Sequence, residues 1–330
     1  MAEIPELDGY RYDLAYNHDY HHEISPAHLR LLAQSRGIAF PASRPLRYLE
    51  LGHGTGVSLN IHAAASPGEY WGTDISPAHV HSAKALAAAS GVDVNALGLS
   101  FVDLLKLDGL PQFDVVTAHG IWSWVSAENR GLIVELLKRH LADGGLFFLS
   151  AVAMPAEAEI VPLQRLMRAH RPTEPTAALD LALALRAAGS PYFAGNARAG
   201  KRLSELENAS PNYLVHEYLH EHWQPCLFSE TAAALAGAGL RFLASARLMD
   251  QIDEANFTPA QCTLLASIDD EAVRESARDF LRLRRQRYDV FVKGASAGPG
   301  ITPEQEFVAT MPPFTATGGR PVLEHLAADG

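Results

Sequence analysis

Residues Arg47 to Gly56 read RYLELGHGTG, an apolar run that passes directly into glycines. Tyr48, Leu49 and Leu51 suit a buried strand, and Gly52, Gly54 and Gly56 suit a turn where backbone can approach a ligand with no Cβ in the way. Val57 to Ala65 (VSLNIHAAA) has helical composition, so the local order is strand, glycine loop, helix. That order is the entry to a doubly wound nucleotide-binding sheet. A dinucleotide fingerprint G-x-G-x-x-G begun at Gly52 would need glycine or alanine at position 57, where Val57 stands. Glu50, two residues before the first glycine, is an unusual residue to bury at a strand end without a polar task.

The same rhythm continues downstream. EYWGTDIS (Glu69 to Ser76) predicts a second strand ending in Asp74, where a carboxylate can accept hydrogen bonds from both ribose hydroxyls of a nucleoside. Ser76-Pro77 starts a helix that stops at Gly91. Leu97 to Val102 predicts a short third strand with Asp103 just after it, and FDVVTAH a fourth. His119, Gly120, Trp122 and Trp124 then fall at the carboxyl edge, where open α/β sheets bind ligands. Ser126 to Leu141 is an amphipathic helix, and Asp143-Gly144-Gly145 turns into LFFLSAVA, the fifth strand. From Pro155 to Pro225 helical segments broken by proline and glycine predict an insertion covering the substrate side. Ser229 is expected to cap the next helix, Leu240 to Leu248 to form the sixth strand, and RYDVFVKG (Arg287 to Gly294) the last. Upstream, Ser25-Pro26 opens a helix ending at Gly37 within an arm that packs over the cofactor edge. The domain division is 1–45 (helical arm), 46–153 (Rossmann-like core), 154–227 (helical insertion), 228–294 (completion of the sheet) and 295–330 (tail).

Bulk properties narrow the function. A chain of 330 residues, 48% hydrophobic, can bury a large core. Cys226 and Cys262 lack metal-ligand spacing, and two cysteines build no disulfide framework, which points to a reducing, cytoplasmic setting. The HDYHH stretch lacks the helical pairing and third ligand of a metal site, so no metal is expected. A formal charge of −11 disfavours nucleic-acid partners, and no stretch approaches the length of a membrane span.

The pattern E-x-G-x-G-x-G of Glu50, Gly52, Gly54 and Gly56 resembles motif I of class I S-adenosylmethionine-dependent methyltransferases, whose loop wraps the methionine part of the cofactor. The order from Tyr48 to Lys293 resembles their plan, a mainly parallel seven-stranded α/β sheet with an antiparallel last strand. AHGIWSWV, SPNYLVHEYLHEHWQPCLF and ARDFLRLRRQRYDVFV are similar to the subset carrying a methyltransferase regulatory domain, which includes bacterial protein-lysine methyltransferases. His53 departs from many relatives by standing inside the glycine loop.

The resemblance implies S-adenosylmethionine as cofactor and S-adenosylhomocysteine as product. It assigns Glu50, Gly52, Gly54, Gly56, Asp74 and Asp103 to cofactor binding, with His119 and Gly120 beside them, and an acid at Asp103 meets the adenine amino group. The expected reaction is metal-independent, in-line transfer to a nitrogen or oxygen nucleophile, a protein lysine or a small molecule or sugar. His119 is the first candidate base, with Glu217 and Tyr20 next, and Trp122, Trp124, His216 and Tyr218 are expected on the acceptor side. The partner is the methyl acceptor, and a homodimer stays open. Two competitors also stay open: an NAD(P)-dependent oxidoreductase, which shares the fold and Asp74, and a non-catalytic module that binds the cofactor and presents its insertion to a partner.

Overall fold

The computed structural model describes residues 6–7, 10–11, 19–38, 40, 45–170, 175–209, 213–214 and 218–294. Seven strands form one sheet: β1 (Leu46–Leu51), β2 (Gly68–Thr73), β3 (Asn95–Leu97), β4 (Phe113–Ala118), β5 (Leu141–Val152), β6 (Leu240–Ser245) and β7 (Gln286–Lys293). Their spatial order is β3-β2-β1-β4-β5-β7-β6. The first five strands pair in parallel, and β7 runs antiparallel to both β5 and β6.

The central strands are apolar on both faces because helices cover both. Side chains alternate between two cores: Leu49, Val116 and Phe147 enter one with Ile133, Leu136 and Leu137 of α5 (Ala127–His140), and Tyr48, Val115 and Phe148 enter the other. The second core is closed by Leu29 and Leu32 of α1 (Pro26–Ser35) and by Leu59 of α2 (Val57–Ala65). Ser25 Oγ accepts from His28 N–H at 3.2 Å and caps α1 as expected.

Three local expectations need correction. The ladder to β2 ends at Leu97. Ser100 opens a one-turn helix, α4 (Phe101–Leu104), its Oγ accepting from Asp103 N–H at 3.2 Å, so Asp103 sits in a helix and does not follow a strand. Asp143-Gly144-Gly145 lies inside β5, where the register to β4 slips between Phe113 and Val115, and β6 ends at Ser245. Ser229 does not cap the helix Phe228–Ala236: the Glu230 carboxylate accepts from Leu227 N–H at 2.9 Å, while Ser229 N–H donates to Ser276 Oγ at 3.2 Å.

The insertion has a core of its own, in which α6 (Val161–Ala169) contributes Leu163 and Met167, α7 (Pro175–Ala187) Ala178 and Ala182, and α9 (Ala197–Leu206) Leu203 and Leu206; a short α8 (Pro191–Gly195) lies between α7 and α9. It is fastened to the sheet by Glu157, which accepts from Arg202 at 2.9 Å and from Arg285, just before β7, at 2.6 Å. Gln224 N–H donates to Ser123 O at 2.8 Å on the other side. No helix among the described residues is long and apolar enough to cross a membrane.

Candidate cofactor and active site

β1 is the place where the strand order turns back, with β2 on one side and β4 on the other. In open α/β sheets the crevice above such a switch point holds the ligand. A cavity of about 800 Å³ lies there, lined by the loops after β1, β2, β3 and β4, by Asp19 and His21 of the N-terminal arm, by Tyr213, and by Gln286 and Tyr288 of β7.

Glu50, next to last in β1, has its carboxylate buried in this cavity, next to the Tyr48 hydroxyl at 3.5 Å. Burial pushes its carboxyl up to about 8, against the Tyr48 hydrogen bond, and the neighbouring Asp74 adds to the rise. Asp74 ties the loops together: Gly54 N–H donates to its Oδ2 at 3.0 Å, Ser76 N–H to its Oδ1 at 2.8 Å, and His79 Nδ1 lies 3.2 Å from Oδ1. Each carboxylate oxygen has two lone pairs, so Oδ2 keeps one for a ligand hydroxyl.

The glycines have separate duties. Gly54, at φ +56°, faces open space, so its missing side chain leaves room in the cavity. Gly56, at φ +80°, is the N-cap of α2 and does not line the cavity; a Cβ there would stand 2.4 Å from Ala83 Cβ in α3 (Pro77–Ser90). It serves helix packing, which corrects the expectation that it binds cofactor. Gly56→Ala is therefore expected to lower stability by about 2–4 kcal/mol through strain and overpacking. Gly54→Ala should cost about 1 kcal/mol of backbone strain and act mainly on ligand affinity. Denaturant midpoints and ligand titrations on both proteins check the contrast; equal stability losses would refute it.

His119 follows β4 and is stacked on His21 at 3.8 Å between centroids, with Phe148 near-parallel at 6.1 Å and Tyr288 tilted at 5.9 Å. Burial, then His21 and Arg247, lower its proton affinity to about 3. The Arg247 guanidinium lies over the Tyr288 ring at 4.0 Å.

Residues 49–147 match the family model of a methyltransferase domain, and residues 210–293 that of a predicted methyltransferase regulatory domain. The uncharacterized protein sll1526 of Synechocystis sp. is 33% identical over 300 residues, which are 88% of this chain and 59% of that protein. The uncharacterized protein RP789 of Rickettsia prowazekii is 25% identical over 278 residues, 80% of this chain and 49% of that one. In three dimensions the chain is similar to PKMT2 from Rickettsia typhi, solved in complex with AdoHcy, at a TM-score of 0.72 and 22% identity over 85% of this chain and 55% of that one. The chain carries a match to a methyltransferase domain on the fold of class I methyltransferases. It spans about half to three-fifths of the length of these relatives.

The cavity fits the cofactor of class I methyltransferases on two observations. Glu50 is a buried carboxyl with no cation beside it among the described residues, and Gly54 leaves an open cradle over the end of β1. Glu50, Gly52, Gly54, Asp74, Asp103, His119, Gly120 and Trp124 all line the cavity. Trp122 does not: it is 2% exposed and packs in the sheet core. Tyr20 is 46% exposed and meets the edge of His62, away from the lining, and Tyr218 is buried in the insertion's core. His216 and Glu217 lie outside the described residues. Asp19, His21, His53, His79, Tyr213, Gln286 and Tyr288 line the cavity without having been singled out for it by sequence. For His79 a signal existed, five residues past Asp74 in the first turn of α3. Among the described residues no group of three or more metal-ligating side chains is gathered.

Proposed function

We propose that the chain catalyses transfer of a methyl group from S-adenosylmethionine to a nitrogen or oxygen nucleophile, a protein lysine or a small molecule. The observation that carries this reading is Glu50, a carboxyl held near 8 at the floor of a cavity with no lysine or arginine among its described lining residues. Such a group suits a ligand ammonium. The turn at Gly52 and Gly54 cradles the amino-acid part, Asp74 accepts from the ribose, and Ile75, Phe101, Val102 and Asp103 enclose the base. Bound there, the cofactor supplies an electrophilic sulfonium methyl. The protein's share is to exclude water and hold the nucleophile in line with that methyl, a task for Trp124, Tyr213, His119 and Tyr288. With a proton affinity lowered to about 3, His119 is a weak proton acceptor, and its place in the ring stack makes it a wall of the site.

Both matching family models are methyltransferase models, which disfavours the nicotinamide alternative. Calorimetry with S-adenosylmethionine, S-adenosylhomocysteine and NADH is the test: micromolar uptake of the first two and none of NADH is expected, and the reverse order would overturn the reading. Incubation with methyl-labelled cofactor and a host lysate then assigns the acceptor by whether label enters protein or small molecules.

A further inference from the structure

The amino-acid end of the cofactor carries an ammonium and a carboxylate on one carbon, and the cavity answers these charges unequally. Five carboxylates line it, Asp19, Glu50, Asp74, Asp103 and Glu128, and no lysine or arginine is among the described lining residues. A carboxylate taken from water into such surroundings is strongly disfavoured unless donors and positive charge meet it. Because it sits on the same carbon as the ammonium that Glu50 suits, its partner must also stand at the head of the glycine loop.

His21 stands there. Its backbone N–H donates to Ser58 Oγ at 3.0 Å in the first turn of α2, and Val57 and Ser58 line the cavity at the positive end of that helix, where Gly56 supplies no side-chain cap. Each of the other cationic candidates is already held by a neighbour, although Nε2 of His53 and of His79 has no hydrogen-bond partner among the described residues. His79 turns Nδ1 to Asp74 at the ribose end, His53 turns Nδ1 to Gly54 O at 2.8 Å, and Arg247 covers Tyr288 within 3.9 Å of Glu23. His119 is stacked on His21, with Phe148 near-parallel at 6.1 Å.

Resting on the methyltransferase reading, we propose that His21, carried over the site by the N-terminal arm, is the cationic partner of the cofactor's carboxylate and sets the amino-acid head against Glu50. In the free protein burial lowers the proton affinity of His21, with His22 acting in the same direction and Glu23 and Asp19 opposing. Among the described residues His62 of α2 and His119 after β4 also face it, with Arg247 after β6 and Tyr288 of β7 beside His119. A carboxylate arriving there joins Asp19 and Glu23 and draws a proton onto the ring. The imidazolium then rests on the face of neutral His119, an arrangement that favours the charged form.

The test compares S-adenosylhomocysteine with 5′-methylthioadenosine, which has the same nucleoside and thioether but no amino-acid head. His21→Ala is expected to weaken S-adenosylhomocysteine about tenfold or more near pH 6.5 and to leave 5′-methylthioadenosine within about twofold. Calorimetry in buffers of different ionisation heat should show the variant taking up about one proton fewer than the wild type with S-adenosylhomocysteine, and His21→Lys should restore the preference for the longer ligand. Equal losses for both ligands, or an unchanged proton count, would overturn the assignment and leave His21 a structural part of the arm. Failure of the wild-type protein to bind either ligand would overturn the methyltransferase reading along with it.

Discussion

Glu50→Gln is expected to make the free protein more stable and its complex with S-adenosylhomocysteine much weaker. Burial raises the Glu50 carboxyl from 4.5 to about 8, so the fold holds this proton more tightly than the unfolded chain does. The sign follows: stability is lost as pH rises from about 4.5 toward 8, and at pH 7 the cost is about 2–3 kcal/mol. Glutamine keeps the shape and the contact with Tyr48 and removes that cost, so the denaturation midpoint should rise. Binding moves the other way. A ligand ammonium selects the ionised carboxylate, and loss of one partner of a buried charge pair weakens S-adenosylhomocysteine by about two orders of magnitude at pH 8. Below pH 8 the carboxyl must first give up its proton, so the wild type's advantage grows as pH rises and levels off near 8. Binding at pH 7 should release about one proton fewer in the variant than in the wild type, opposite in sign to the change expected for His21→Ala. 5′-Methylthioadenosine, without an ammonium, should bind both proteins alike. An equal loss for both ligands, or a lower midpoint for the free variant, would make Glu50 a structural residue.

What sequence reading recovers here follows from the range of the interactions involved. The step from β1 into the glycine loop is local, and so are the caps at Ser25, Ser76 and Ser126, so RYLELGHGTG and the strand–helix rhythm were legible without coordinates. Where two local signals compete, as at Ser100, the capping hydroxyl won over the apolar run of Phe101 and Val102. Side-chain direction on an irregular turn was beyond reach. Trp122 and Trp124 are two residues apart, yet one is in the core and the other lines the cavity. The same holds for Tyr218, buried in the insertion, and Tyr213, on the cavity wall. His21 is hidden for a different reason: nothing local in HDYHH tells that the arm folds back against His119.

Arg287→Leu should be the most destabilising single change outside the cavity. Arg287 is 2% exposed on β7 and holds Asp289 through Nε at 2.6 Å, Asp279 of α13 (Glu271–Arg282) through Nη1 at 2.9 Å and Glu275 through Nη2 at 3.0 Å. The guanidinium also lies 4.3 Å from the centre of the Phe228 ring. This cluster fastens α13 to the sheet within the part that matches the regulatory domain. Leucine fills the volume but takes the guanidinium from three carboxylates; Glu275 keeps Arg278 at 3.0 Å and Asp279 keeps Arg284 at 3.5 Å, while buried Asp289 loses its hydrogen-bonded partner, and breaking a buried pair of this kind costs about 3–5 kcal/mol. In the wild type burial already lifts Asp279 to about 6 while Arg287 opposes the rise. Without the guanidinium the carboxyl moves higher still, so the variant's fold takes up a proton in a range where the wild type's does not. The stability gap should therefore narrow as pH falls toward 6 and change little below it. Replacing the cluster as a unit, Arg287→Met with Asp279→Leu and Asp289→Val, removes the stranded charges and should recover most of the loss. Chemical denaturation of the three proteins at pH 8 and pH 6 decides the matter: a gap under about 1 kcal/mol, or one that widens toward pH 6, would mean that the cluster is not what holds α13 in place.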